Sequence, residues 1–267
     1  MREDLRALLL VTLWDVRKVA RYKVFLLMRF AWFIVQVSVF AVLISYLVTI
    51  RSLGTSGIGY YEYYLFGAYT ALLFSISMFR GYEIAEEFEE GIIEYQLSLP
   101  IKRRILAIGR TIGGGIASFI YTLPMMLFIL LLLGITNPVL IAIAILSALA
   151  FSIGIVGLAI NIVFGLKSGD KTDILFGVVD ALLVRLSTIF YPLPFLSVFP
   201  PYFYAAMYNP LSNMADFLRA LFFFQDLKIF IHAPPENLIS YIVGLAVGLS
   251  ILAMLFIERR VEGGGWK

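Results

Sequence analysis

The sequence predicts an all-α integral membrane protein with six transmembrane helices, and three observations lead there. Of the 267 residues, 61% are hydrophobic and only 15% charged, against about 25% charged in soluble domains. Six apolar stretches approach the roughly 20 residues a helix needs to cross a bilayer. Lys and Arg gather on one side of those stretches, the side that the positive-inside rule makes cytoplasmic.

Residues 1–29 predict a cytoplasmic helix lying in the membrane interface. "LRALLLVTLWDVRKVARYKVFLL" mixes apolar residues with Arg and Lys at helical spacing, and Trp14 suits the depth of lipid headgroups. Asp15, Arg17 and Lys18 directly follow the apolar run Leu8–Trp14, so no signal-peptide cleavage pattern is expected. The six-span core covers residues 30–257. Its spans are expected at about Phe30–Ile50, Tyr63–Phe79, Ile112–Leu133, Val139–Leu166, Ile174–Tyr191 and Leu238–Ile257, with a turn at Gly134–Pro138. A tail, 258–267, follows. Seventeen of the 21 Lys and Arg precede the first span, follow the second or fourth, or lie in the tail. Arg51, Arg219 and Lys228 lie opposite, and Arg185 falls within the fifth span. Both termini are therefore expected in the cytoplasm.

Between the second and third spans stands "EEFEEGIIEYQLSLPIKRR", residues 86–104. A helix is expected over about 82–99, with Ile84, Phe88, Ile92, Tyr95 and Leu99 on one stripe. Glu83, Glu87, Glu90 and Glu94 form a neighbouring stripe, widened by Glu86 and Glu89. Pro100 stops the helix, and Lys102, Arg103 and Arg104 suit anionic headgroups. By composition alone, a solvated loop helix and a docking helix are equally good readings.

Asp180 and Arg185 in the fifth span are costly in lipid unless paired or hydrated. They read either as part of a translocation path or as a buried polar pair. Five residues turn a helix by about 140°, so the two do not stack on one face. Gly113, Gly114 and Gly115, and the Gly244-x-x-x-Gly248 spacing, suit close helix packing. The segment 192–237 is too apolar for an ordinary outer loop and suggests short helices that re-enter the membrane without crossing.

Several chemistries find no support. There is no cysteine, and His232 is the single histidine, so neither thiolate chemistry nor a histidine-based metal site is expected. "GLKSGDKT", Gly165–Thr172, comes nearest to a P-loop, but Asp170 occupies the second glycine position, where phosphate must approach. No metal site, no nucleic-acid partner and no nucleotide site of the chain's own is expected.

Two separated motifs resemble those of ABC-2 type transporter permeases. "EEGIIEYQLSLPIKRRIL", 89–106, is similar to that family's cytoplasmic loop, the matching positions being Glu90, Gly91, Glu94, Leu97, Ser98, Pro100 and Arg103. One departure is Leu99, which intervenes between Ser98 and the proline. "YPLPFLSVFPPYFYAAMYNPLSNMADFLRA", 191–220, is similar to the family's segment between the fifth and sixth spans, at Pro192, Pro200, Pro201, Asn209, Pro210, Asp216 and Arg219.

The resemblance covers nearly the whole chain. It implies that the helix of about 82–99 is a coupling helix, docking a separate ATPase subunit through Glu86, Glu87, Glu90, Gly91, Glu94, Pro100 and Arg103. It implies an outer gate of re-entrant helices carrying Pro192, Pro200, Asn209, Pro210, Asp216 and Arg219. The chain would then be the permease subunit of an exporter in the plasma membrane and not itself an enzyme. ATP and Mg would reside on the partner, with two permeases and two ATPases in the assembly. The richness in Phe and Tyr suits an amphipathic or lipid-like cargo. Two rivals are an ion-driven carrier, which would want several buried carboxylates, and an integral membrane enzyme, for which no catalytic set is visible.

Overall fold

The computed structural model describes residues 2–21, 23–40, 43, 59–166 and 168–260. The regular structure among these residues is all helical, without strands, in the order α1 (Arg2–Arg21), α2 (Lys23–Val35), α3 (Tyr60–Glu89), α4 (Ile92–Ser98), α5 (Arg103–Leu132), α6 (Pro138–Leu166), α7 (Gly169–Arg185), α8 (Leu193–Leu196), α9 (Pro200–Tyr208), α10 (Pro210–Leu227) and α11 (Pro235–Arg260). A π-helical turn, Gln36–Phe40, continues α2. The expected first span reaches beyond this turn, and most of its second half lies outside the described residues.

Among the described residues, three helices are long and apolar enough to cross a membrane: Arg103–Leu132, Pro138–Leu166 and Pro235–Arg259. They match the third, fourth and sixth expected spans: the first begins nine residues earlier and ends one residue sooner, the second begins one residue earlier, and the last extends three residues before and two after. α3 has the length, at 30 residues, but its first ten include Tyr60, Tyr61, Tyr63, Tyr64 and Tyr69, which lower its hydropathy. α7 has only 17 residues and ends at Arg185, six residues before the expected end of the fifth span. Beyond it the chain takes up the non-helical stretch 186–192.

The turn between α5 and α6 is built from its residues. Gly134 adopts a left-handed φ of 63°, which lets the Ile135 N–H bond the Leu130 carbonyl at 2.9 Å in a glycine-terminated helix end. Asn137 then accepts a hydrogen bond from Val139 N–H at 3.0 Å, with Pro138 in the first helical position where no N–H is needed.

α3, α5, α6, α10 and α11 share one large core holding Tyr63, Tyr69, Phe74, Phe151 and Ile155, all fully buried. Glycines set the closest approaches. A Cβ on Gly115 would lie 2.4 Å from Ile153 Cγ1 on α6, and one on Gly154 would lie 2.6 Å from Leu245 Cδ2 on α11. By contrast, among the described residues, nothing lies within 4 Å of a Cβ added at Gly244 or Gly248. That pair, expected to pack helices together, faces outward beside exposed Val243 and Val247. α11 instead presents Ala246 and Leu249 to Gly154 and Gly157 of α6.

α1 does more than lie on a surface. Its Val11 and Thr12 pack against Gly109 and Gly113 of α5, where an added Cβ would come within 2.7 and 2.8 Å. The opposite face of α1 exposes Leu5, Leu9, Leu13 and Trp14, the amphipathic pattern expected of an interfacial helix.

Candidate functional site

The charged stretch folds as two helices. α3 runs on to Glu89, and then Gly91 takes a left-handed φ of 73°, a conformation that costs glycine little. α4 follows and is stopped at Leu99–Pro100. This break corrects the single helix expected over 82–99, and it changes the phase of the apolar stripe. Ile84 and Ile93 are buried, whereas Tyr95, expected inside, is 65% exposed.

Glu86, Glu90 and Glu94 stand exposed along this element, as do Pro100 and Arg103, and Gly91 is half-buried. Among the described residues the three carboxylates make no ion pair. The bases beyond Pro100 are tied to the two ends of the chain. Lys102 Nζ lies 2.9 Å from Asp4 Oδ2 on α1, and Arg104 lies 2.7 Å from Glu258 Oε1 near the end of α11. These exposed pairs add little stability, but they place the start of α1 and the end of α11 beside the same loop.

Glu87 is the exception among the expected docking residues. It is only 4% exposed and its carboxylate pairs with Arg110 of α5 and Lys18 of α1. Arg110 also holds Asp15 of α1, with Nη1 2.7 Å from Oδ1. Buried Asp15, Glu87 and Arg110 and half-buried Lys18, from three helices, thus form one node behind the exposed acids. Glu87 turns inward because the residue after Glu86 lies about 100° further round the helix, on the side that α5 covers. The sequence carried one hint of the partner: Asp15 interrupts the apolar run of α1 on the same face as Val11 and Val19.

Burial raises the Asp15 carboxyl to about 6, against the opposing pull of Arg110. The folded state therefore binds this proton more tightly than the unfolded chain. The associated stabilisation is complete below the ordinary carboxyl value, 3.8, and is lost as pH rises through about 6. Thermal melts of wild type and Asp15→Asn should show the wild type losing stability relative to the variant between those two values. A difference independent of pH would refute this assignment.

Asp180 and Arg185 are not a pair. The Asp180 Oδ1 accepts a hydrogen bond from Ser75 of α3 at 2.6 Å, and among the described residues its carboxylate makes no ion pair. Arg185 is exposed at the last turn of α7. Five residues of helix set the two side chains about 140° apart, on different faces of α7.

The outer motif divides in two. Pro192 precedes the four-residue α8 and Pro200 opens α9; both begin short helices. Asn209, Pro210, Asp216 and Arg219 instead belong to α10, of which residues 211–220 are all buried. Asn209 serves two helix ends. Its side-chain oxygen accepts from Leu211 N–H at 2.9 Å, capping α10, while its Nδ2 donates to the carbonyls of Leu183 and Leu186 at 2.7 and 3.0 Å at the end of α7.

Arg219 is wholly buried and every one of its N–H groups has an acceptor. Nε and Nη2 donate to the Tyr63 carbonyl at 3.2 and 3.1 Å, and Nη2 also to Ile189 O at 2.8 Å. Nη1 donates to Thr188 O at 3.1 Å and to Asp216 Oδ1 at 2.7 Å. The guanidinium lies 3.4 Å from the centroid of the Tyr63 ring, a cation–π contact. Asp216 Oδ2 lies 2.7 Å from His232 Nδ1, and His232 Nε2 lies 3.3 Å from Asn213 Oδ1. Sequence reasoning found Asp216 and Arg219 but not Tyr63, Thr188, Asn213 or His232. Only the meeting of α3, the 186–192 stretch, α10 and the segment before α11 brings those four together.

Among the described residues no group of three or more His, Asp or Glu could hold a metal ion. No protein-family model and no curated protein matches this chain.

Proposed function

We propose that the chain is the membrane-spanning permease subunit of an ATP-binding cassette exporter of the ABC-2 type. It moves an amphipathic or lipid-like substrate with work done by a separate ATPase subunit that binds ATP and Mg. In this reading six helices cross the plasma membrane with both termini in the cytoplasm. The segment of α3 and α4 around Gly91 is the coupling element, and α8 to α10 re-enter from the outer side without crossing. Two such chains and two ATPases form the working unit, as cyclic pairing is the commonest oligomeric solution.

One observation carries the reading. An outward row of Glu86, Glu90 and Glu94 stands on an element whose inner carboxylate, Glu87, is tied to Arg110 and Lys18. A force applied to the exposed acids is delivered through that node to α1, α3 and α5 together. The acids themselves fix register and orientation against a basic partner surface. The pairing of Asp4 with Lys102 and of Glu258 with Arg104 supports an even number of crossings, since both ends meet the same loop.

The test is charge reversal where the side chains are exposed. Glu90→Lys with Glu94→Lys should abolish co-purification of the ATPase subunit with the tagged permease while leaving membrane insertion unchanged. An ATPase recovered equally with both proteins would remove the docking assignment.

A further inference from the structure

Between α1, α2, α3 and α5 lies a cavity of about 450 Å³, within the range of small-molecule sites. It is lined at one end by Glu86 and Glu90, along its walls by Lys18, Arg29 and Arg80, and at its deep end by Ile76 and Tyr121. Ile76 and Glu86 are ten residues apart on one helix, so the polar mouth and the apolar end are separated by about 15 Å. Trp14 of α1 closes one side, next to the exposed leucines of that helix.

Charges of both signs line this space, and their internal pairing is incomplete. Lys18 is taken by Glu87, and Arg80 by Glu83, with Nη1 2.5 Å from Oε2. Glu86 and Glu90 make no ion pair among the described residues, so the mouth favours a cation. Arg80 is 4% exposed, stands 4.9 Å from the centroid of the Tyr121 ring, and has no acceptor at its Nε. A buried donor without an acceptor is costly, so this wall favours an anionic oxygen.

We infer that the cavity binds the headgroup of a zwitterionic phospholipid bearing a primary ammonium, of the phosphatidylethanolamine type, from the cytoplasmic leaflet. The ammonium sits at Glu86 and Glu90, the phosphate faces Arg80, and an acyl chain follows Ile76 and Phe79. A primary ammonium donates three hydrogen bonds to the carboxylates, which a trimethylated headgroup cannot do. The inference rests on the membrane placement proposed above but not on the ATPase partner.

The test uses the purified full-length chain without any ATPase. Binding of short-chain phosphatidylethanolamine, phosphatidylcholine and phosphatidylglycerol is followed by native mass spectrometry and thermal shift, with glycerophosphoethanolamine as the soluble control. Phosphatidylethanolamine should be retained in preference to the other two lipids. Glu86→Gln with Glu90→Gln should weaken it about tenfold, as expected for the loss of charge-assisted hydrogen bonds, without weakening phosphatidylglycerol. Arg80→Gln should weaken both lipids, and its own melting temperature reports whether it folds. Equal binding of the three lipids, a soluble headgroup bound as tightly as the lipid, or unchanged selectivity in the glutamate variant would each overturn the inference. Because no partner is present, these outcomes are independent of whether an ATPase docks.

Discussion

Arg219→Met is expected to destabilise the protein by about 3–5 kcal/mol, the usual penalty for removing one member of a buried, hydrogen-bonded ion pair. The change strips hydrogen bonds from the carbonyls of Tyr63, Thr188 and Ile189 and leaves Asp216 with Thr188 and His232. Helices α3 and α10 and the stretch after α7 are joined at this one side chain, so the loss is felt in all three. Arg219→Lys should recover only part of the stability. An ammonium has three donors on a point charge, whereas the planar guanidinium satisfies acceptors on several elements at once. Asp216→Asn should cost less, because an amide oxygen can still accept from Arg219. Melting of the detergent-purified variants gives the order. A stable Arg219→Met protein would show that the network contributes little.

Arg110→Met is expected to have an effect of similar size, again about 3–5 kcal/mol, but with a different footprint. Arg110 bridges Asp15 and Glu87, and without it two buried carboxylates share Lys18 alone. Like charges at such separation repel strongly in a poorly solvated site. The expected response is loosening of α1 from α5, since the apolar contacts of Val11, Thr12 and Val19 and the exposed Asp4–Lys102 pair do not neutralise the buried carboxylates. Hydrogen exchange should therefore rise in α1 while α10 stays protected. Arg110→Lys, which can hold one carboxylate at a time, should fall between. Unchanged exchange in α1 would mean that the node does not fasten it. In the proposed transporter the same variant should also uncouple ATP hydrolysis from transport, because the docking acids would no longer be linked to α5.

Helices α5, α6 and α11 were legible because long uninterrupted apolar runs leave little else to form. The turn between α5 and α6 was legible through Gly134, Asn137 and Pro138, each suited to a helix end. The candidate site was legible as a set of residue types and much less as an arrangement. Of the expected stripe only Glu90 and Glu94 face outward, with Glu86 beside them, while Glu83 pairs with Arg80 and Glu87 belongs to the interior. Spacing predicts which residues share a face but not which neighbour covers it. Gly91 shows a second limit: one left-handed residue re-phases everything after it, exchanging Tyr95 for Ile93 at the core.

Glycine spacing alone does not say which glycines receive a neighbour within the chain. Gly244 and Gly248 have the usual packing separation yet face open space among the described residues, while Gly109 with Gly113 and Gly154 with Gly157 receive neighbouring helices. These helices expose large apolar side chains, such as Leu131 at 79% and Leu146 at 64%. Hydrophobicity therefore does not distinguish their inner faces from their outer ones, and in lipid it supplies no drive between helices.

Composition and periodicity were sufficient to establish a helical, strongly apolar chain with an acidic element preceding a basic one. They also bear on thiolate chemistry, since a chain without cysteine cannot gain a thiol by folding. The pairing of ionisable groups was decided only by the tertiary structure. Charge interactions and hydrogen bonds act over a few ångströms, and residues as distant in sequence as Asp15 and Arg110, or Tyr63 and Arg219, come within that range only when their helices pack.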